Sequence, residues 1–85
     1  MGKIIDSGKW MAVVNVFAAS KNAGSIWKNA AVMLEEAGVP YKARFTGGSL
    51  NATALSYKSA AEGYRNFIAV GGDGTIHDVL NGIGE

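Results

Sequence analysis

Residues 71–75 read Gly-Gly-Asp-Gly-Thr, after the apolar run "NFIAV" and before the helical periodicity of "TIHDVLNGI". Gly71, Gly72 and Gly74 have no Cβ, so the backbone amides around Asp73 can converge and a ligand can approach them closely. Placed just before the positive end of a helix, such amides form a phosphate cradle. A tight strand-to-helix turn would use the same residues. Thr75 and Asp78 also fit a capping box, with Thr75 as N-cap and Asp78 three positions on. The two uses can coexist at one helix end. A dinucleotide fingerprint is excluded, because His77 stands where its third glycine belongs, and a Gly-Lys-Ser/Thr loop occurs nowhere. His77 has no cysteine or second histidine to share a metal, and reads as an ordinary helix residue near the cleft. Lys21 reads as a solvated loop lysine, although it could reach a phosphate.

The rest of the chain must position that loop. Its 85 residues allow one small domain, and nearly half are apolar, a globular composition. The formal net charge of +1 gives no electrostatic case for nucleic acid or an anionic membrane. There is no cysteine, which removes disulfides and thiolate metal sites and fits a cytoplasmic protein. No apolar run approaches the length of a membrane span and no signal peptide is visible. "MGKIID" has Asp6 where N-myristoylation requires Ser or Thr. Residues 1–9 read as a leader or appended segment, and 10–85 as the domain.

"WMAVVNVF" (10–17) is apolar on both parities, as in a strand covered on both faces. "SKNAGS" (20–25) is a loop. A helix then runs from Ser25, with Ile26, Ala30, Met33 and Ala37 on one stripe and Trp27, Ala31 and Leu34 beside it. Trp27 and Met33 are expected in the core. Gly38 and Pro40 stop the helix. "YKARFT" (41–46) alternates, and Lys42 and Arg44 on one side predict a half-exposed edge strand. A loop at "GGSLN" leads to a second helix, capped by Ser49 or Asn51 and running to about Glu62. Its Ala- and Ser-rich face is thin. A third strand (66–70) and a third helix follow, the latter with Ile76, Val79, Leu80 and Ile83 at i, i+3, i+4 and i+7.

Strands alternating with helices predict an α/β domain with a parallel sheet in three layers. The doubly apolar first strand belongs in the centre, giving spatial order 2-1-3. Ligands in such sheets bind beyond the carboxyl ends of the strands, at the switch point. The loops after strands one and three therefore face one crevice.

"GGDGTIHDVLNG" resembles the GGDGT-x-x-E-x-x-N-G signature of the diacylglycerol kinase and sphingosine kinase superfamily, whose Gly-Gly-Asp-Gly core is shared more distantly with NAD kinases and phosphofructokinases. Asn15 stands where that family has Asn-Pro after its first strand. "AGSIWKNAAVMLEEAG" resembles its first helix. Thr46 with "GGSLNA" resembles its Thr-x-x-x-x-His-Ala, with Asn51 in place of His. The likeness spans 11–84. Two departures stand out. The proline and glycines of the family's first phosphate loop are missing over 15–21, making close backbone approach harder at Ala19 and Lys21. Asp78 replaces a Glu.

The resemblance implies the N-terminal nucleotide-binding part of an NAD kinase/diacylglycerol kinase-like domain, truncated at 85 and expected to be inactive alone. It implies transfer of the γ-phosphoryl group of ATP, with Mg²⁺, to a lipid hydroxyl such as that of diacylglycerol or sphingosine, with transient membrane contact by a complete protein. Asn15, Thr46, Gly71, Gly72, Asp73, Gly74, Thr75 and Asp78 would bind the nucleotide. Asp73 would be catalytic, either accepting the acceptor's proton or holding a Mg²⁺-bound water. The alternatives are an NAD kinase relative, and a non-catalytic module whose 15–21 loop has degenerated. An uncovered third strand, apolar at Phe67, Ile68, Ala69 and Val70, predicts self-association.

Overall fold

Trp10–Val14 form β1, an apolar strand without Gly or Pro. It lies between two parallel partners, β2 (Tyr41–Phe45) and β3 (Asn66–Val70), in the order β2-β1-β3. The three strands run in step, with Val14 opposite both Phe45 and Val70. Residues 11–14 are completely buried, as a central strand covered on both faces requires. The computed structural model describes residues 9–15, 23–47 and 51–84. The departures at 16–21, the Ser49 cap, residues 1–8 and Glu85 lie outside the described residues. The predicted strand 10–17 stops at Val14, because the ladder to both neighbours ends there.

Three helices complete the β-α-β-α-β-α order: α1 (Ala23–Glu36), α2 (Ala52–Ala61) and α3 (Asp73–Ile83). Met11 and Val13 pack with Ala52, Leu55, Tyr64 and Val79 on one sheet face. Ala12, Val14 and Val70 pack with Trp27 on the other. Helices α2 and α3 thus cover one side and α1 the other, the predicted three layers.

Helix α1 starts two residues before the predicted Ser25 and presents a different stripe. Trp27, Ala30, Ala31 and Leu34 are half-buried, whereas Ile26 and Met33 are exposed, so Met33 is not a core residue. The Trp27 ring decides the rotation. It stands edge-on to Tyr41 and Phe45, with centroids 5.6 and 6.3 Å away. The helix ends as a Schellman motif: Gly38 takes φ +74°, Val39 N–H donates to Leu34 O at 2.9 Å and Gly38 N–H to Glu35 O at 3.1 Å. Tyr41 Oη donates to Glu35 Oε2 at 2.8 Å, and this bond holds the phenol above its ordinary pKa of 10.0. The bond is intact at neutral pH and is lost on the alkaline side as the phenol ionises.

Strand β2 is an edge strand, as predicted, but Arg44 is not a solvated cation. Its guanidinium donates to Ser59 Oγ at 2.9 Å and to Glu62 Oε1 at 2.7 Å, tying β2 to the end of α2. Asn51 caps α2 by accepting from Ala54 N–H at 2.8 Å.

The thin face of α2 has a purpose that composition hid. Its small side chains let α3 come so close that a Cβ on Gly82 would strike Thr53 O and lie 2.7 Å from Ser56 Cβ and 3.0 Å from Tyr57 N. Ser56 is wholly buried at this contact, and among the buried side-chain polar atoms of the described residues its Oγ alone lacks a hydrogen-bond partner. Ser56→Ala removes an unsatisfied hydroxyl and improves helix propensity, so it should stabilise the fold by roughly 0.5–2 kcal/mol. A rise in the urea midpoint at unchanged slope checks it.

The inward face of α3 is Thr75, Val79 and Gly82, not the whole predicted stripe. Ile76, Leu80 and Ile83 are exposed. With Arg65, Phe67, Ala69 and Val79 they line an apolar groove of about 430 Å³ beside β3.

Candidate functional site at the carboxyl ends of the strands

The three parallel strands end on one edge, and each delivers a polar residue there. Asn15 follows β1, Thr46 follows β2, and the chain leaving β3 turns through Gly71 and Gly72 into α3. Backbone bonds fix the first two: Asn15 N–H donates to Val70 O at 2.8 Å, and Thr46 N–H to Val14 O at 3.0 Å. Side chains then link all three. Thr46 Oγ1 donates to Asn15 Oδ1 at 3.2 Å, and Asn15 Nδ2 donates to Thr75 Oγ1 at 3.1 Å. Both threonines are buried, Thr75 to 2% exposure.

Helix α3 begins two residues before the expected cap. Gly72 is the N-cap, in extended backbone with φ −101° and ψ −168°, and it makes no side-chain cap bond. Its carbonyl accepts from Thr75 N–H at 2.9 Å and from Ile76 N–H at 3.3 Å. Thr75 therefore lies inside the first turn, and the capping box with Asp78 does not form. The physical reason is the pull of Asn15, which draws the Thr75 side chain inward instead of leaving it to bond forward along its own helix.

The consequence is an open helix end. Gly71, Gly72, Asp73 and Gly74 are exposed, and the amides at the start of α3 precede the intrahelical ladder. They point where the helix carries its partial positive charge, which favours an anion. Asp73 is the first helical residue, with its carboxylate at that mouth. Asp78 is half-buried further along α3, and its carbonyl accepts from Thr53 Oγ1 at 3.1 Å. His77 is exposed. Among the described residues no group of three His, Cys, Asp or Glu side chains could hold a metal ion. No described helix is long and apolar enough to cross a membrane.

Gly71 is required by contact as well as by its φ of +155°. A Cβ there would run into Thr75 Oγ1 and Cβ and lie 3.2 Å from Asn15 Cβ. Gly71→Ala is expected to destabilise the fold by about 1–3 kcal/mol, with each kcal/mol lowering the melting midpoint by roughly 4–8 °C. A thermal melt checks it. An unchanged midpoint would show that the loop can move aside.

Sequence reasoning brought the loops after β1 and β3 to one crevice, the resemblance added Thr46, and the structure sets Asn15, Thr46 and Thr75 within hydrogen-bonding distance. Sequence reasoning missed that the three side chains bond to one another. It also missed Gly82, for which the available signal was an Ala/Ser-rich helix face opposite a helical glycine.

Comparison with known proteins shows the family to which this sequence is similar. The diacylglycerol kinase catalytic domain family matches residues 9–85. Diacylglycerol kinase from Staphylococcus carnosus (strain TM300) is 41% identical over 54 residues, covering 64% of this chain and 18% of that protein. A diacylglycerol kinase from Staphylococcus saprophyticus gives the same figures. YtlR of Bacillus subtilis (strain 168), named as a lipid kinase, is 30% identical over 77 residues, covering 87% of this chain and 25% of that protein. The chain thus spans about a fifth to a quarter of the length of these relatives. With its loop, helix end and strand order all in place across that match, the chain belongs to the diacylglycerol kinase catalytic domain family.

Proposed function

We propose that this chain supplies the ATP-binding part of a kinase that transfers the γ-phosphoryl group to a lipid hydroxyl. The observation that carries the reading is the exposed, uncapped start of α3, which leaves the Gly72–Gly74 amides open at the carboxyl edge of a parallel sheet. Phosphoryl transfer depends on positioning and charge neutralisation, which such a cradle supplies. The amides of Gly72, Asp73 and Gly74 hold phosphate oxygens, and Asn15, Thr46 and Thr75 form the floor beneath them. Mg²⁺ suits this donor set only in the way it commonly binds nucleotides, through phosphates, waters and one or two carboxylates. When bound, it would neutralise phosphate charge, and Asp73 would hold one of its waters. The alternative role for Asp73 is to accept the proton of the acceptor hydroxyl as that oxygen attacks phosphorus and ADP departs. Titration of the isotope-labelled chain with ATP tests the reading. Amide signals of Gly72, Gly74 and Thr75 should shift; shifts elsewhere, or none, would sink it.

The reading extends to self-association. Among the described residues strand β3 has one hydrogen-bonded neighbour in the sheet; it carries four consecutive apolar residues at 67–70 and lies beside the groove of α3. An open apolar edge is a template for a second copy. Sedimentation at micromolar concentration should show species above the monomer mass, and a clean monomer would exclude this part of the proposal.

A further inference from the structure

The Asn15 carboxamide uses both of its ends. Its oxygen accepts from Thr46 Oγ1 at 3.2 Å and its nitrogen donates to Thr75 Oγ1 at 3.1 Å. A carboxamide is the side chain that can accept from one hydroxyl and donate to another in a fixed direction. Its backbone adds a third tie, from Asn15 N–H to Val70 O at 2.8 Å. The residue thus connects the ends of β1, β2 and β3 to the first turn of α3. At Gly71 the backbone passes so near Asn15 and Thr75 that an added Cβ would run into Thr75 and lie 3.2 Å from Asn15 Cβ.

We infer that Asn15 is a positioning residue: its carboxamide clamps Thr75 and Thr46, so that the Gly72–Gly74 amides are held in their phosphate-binding arrangement before any ligand arrives. Asn15 acts through Thr75, a residue that is 2% exposed beneath the loop. The use of this clamp rests on the phosphate reading above, but its existence does not. Preordered donors bind more tightly because little ordering remains to be done at the moment of binding.

Backbone and carboxamide dynamics of the ligand-free chain provide the test, with Thr75→Val, Thr75→Ser and Asn15→Leu as variants. The wild type should show slowly exchanging Asn15 carboxamide protons and order parameters at Gly72 and Gly74 near the rigid value of about 0.85. Thr75→Val, which keeps the shape and removes the hydroxyl, should drop those order parameters below about 0.6 while those of β1 stay put. Thr75→Ser should restore them. A role confined to general stability would instead lower the melting midpoint without singling out the loop, and serine would not rescue it.

Double substitution by Thr75→Val and Asn15→Leu should loosen the loop no further than Asn15→Leu alone, because that change already breaks the Asn15–Thr75 bond together with the bond from Thr46. Rigid Gly72 and Gly74 in Thr75→Val, or effects that add in the double variant, would overturn the clamp. In a parallel arm, ADP with Mg²⁺ is titrated into each variant. If the wild type binds, Thr75→Val should weaken binding by roughly 5–20-fold, the size of one or two lost hydrogen bonds. If the wild type does not bind, the phosphate reading fails, while the order parameters still decide the clamp.

Discussion

In a complete kinase carrying these residues, Asp73→Asn is expected to lower phosphoryl transfer by about 10²–10⁴-fold, the range over which a positioned acid or base contributes. The substitution is close to isosteric at an exposed first position of α3, so the fold should survive it. Loss of the carboxylate at a helix N-terminus costs only about 0.3–1 kcal/mol of stability. Nucleotide affinity should therefore change little while turnover collapses. The Mg²⁺ dependence of the residual activity separates the two roles. If Asp73 accepts the proton, the variant loses turnover at an unchanged Mg²⁺ requirement. If Asp73 holds a metal-bound water, the variant needs a higher Mg²⁺ concentration. Turnover with diacylglycerol at matched protein stability decides the matter, and wild-type rates in the variant would remove Asp73 from the mechanism.

The second large effect concerns Gly82. Gly82→Val should destabilise the domain by about 3 kcal/mol or more, beyond the usual 1–3 kcal/mol of an overpacked site. The excess follows from what the new atoms meet. Thr53 O and Tyr57 N belong to the backbone of α2, so no rotamer change can make space, and the helices must separate. Even Gly82→Ala should lose, although alanine is the better helix former by about 0.8–1 kcal/mol. Gly74 lies in the same helix with open space around it, and there the propensity gain should win. The pair Gly82→Ala and Gly74→Ala should thus move the urea midpoint in opposite directions. Equal shifts would mean that the α2–α3 contact is not the constraint described.

Much of this architecture was legible because its signals were strong and mutually consistent. The doubly apolar β1, the alternating β2 and the Gly38 stop each had one reading, and together they fixed the 2-1-3 order. The misjudged features depended on neighbours distant in sequence. On α1 two apolar stripes lie side by side, and the Trp27 stripe wins because its ring meets Tyr41 and Phe45 from another element. Thr75 looked like a cap by local pattern, but Asn15, sixty residues earlier, claims its hydroxyl. Arg44 marked β2 as a half-exposed edge, but its partners Ser59 and Glu62 come from α2. The glycine spacing and the strand ends pointed to the crevice, and the family resemblance singled out Asn15 and Thr46 beside it. The bonds among the site residues were not legible, since one sequence does not say which polar groups will satisfy each other.

The groove beside β3 has a calorimetric consequence. Ile76, Leu80 and Ile83 remain 50%, 62% and 40% exposed in the folded chain, so unfolding brings less new apolar surface into water than their number suggests. Hydration of apolar surface is what raises the heat capacity on unfolding, normally by about 12–15 cal/mol/K per residue. The chain should fall below that range, with a correspondingly flat stability curve and a shallow dependence on temperature near its maximum. Conversely, any surface that closes over the groove will register as a negative heat-capacity change on association, whatever the signs of its enthalpy and entropy.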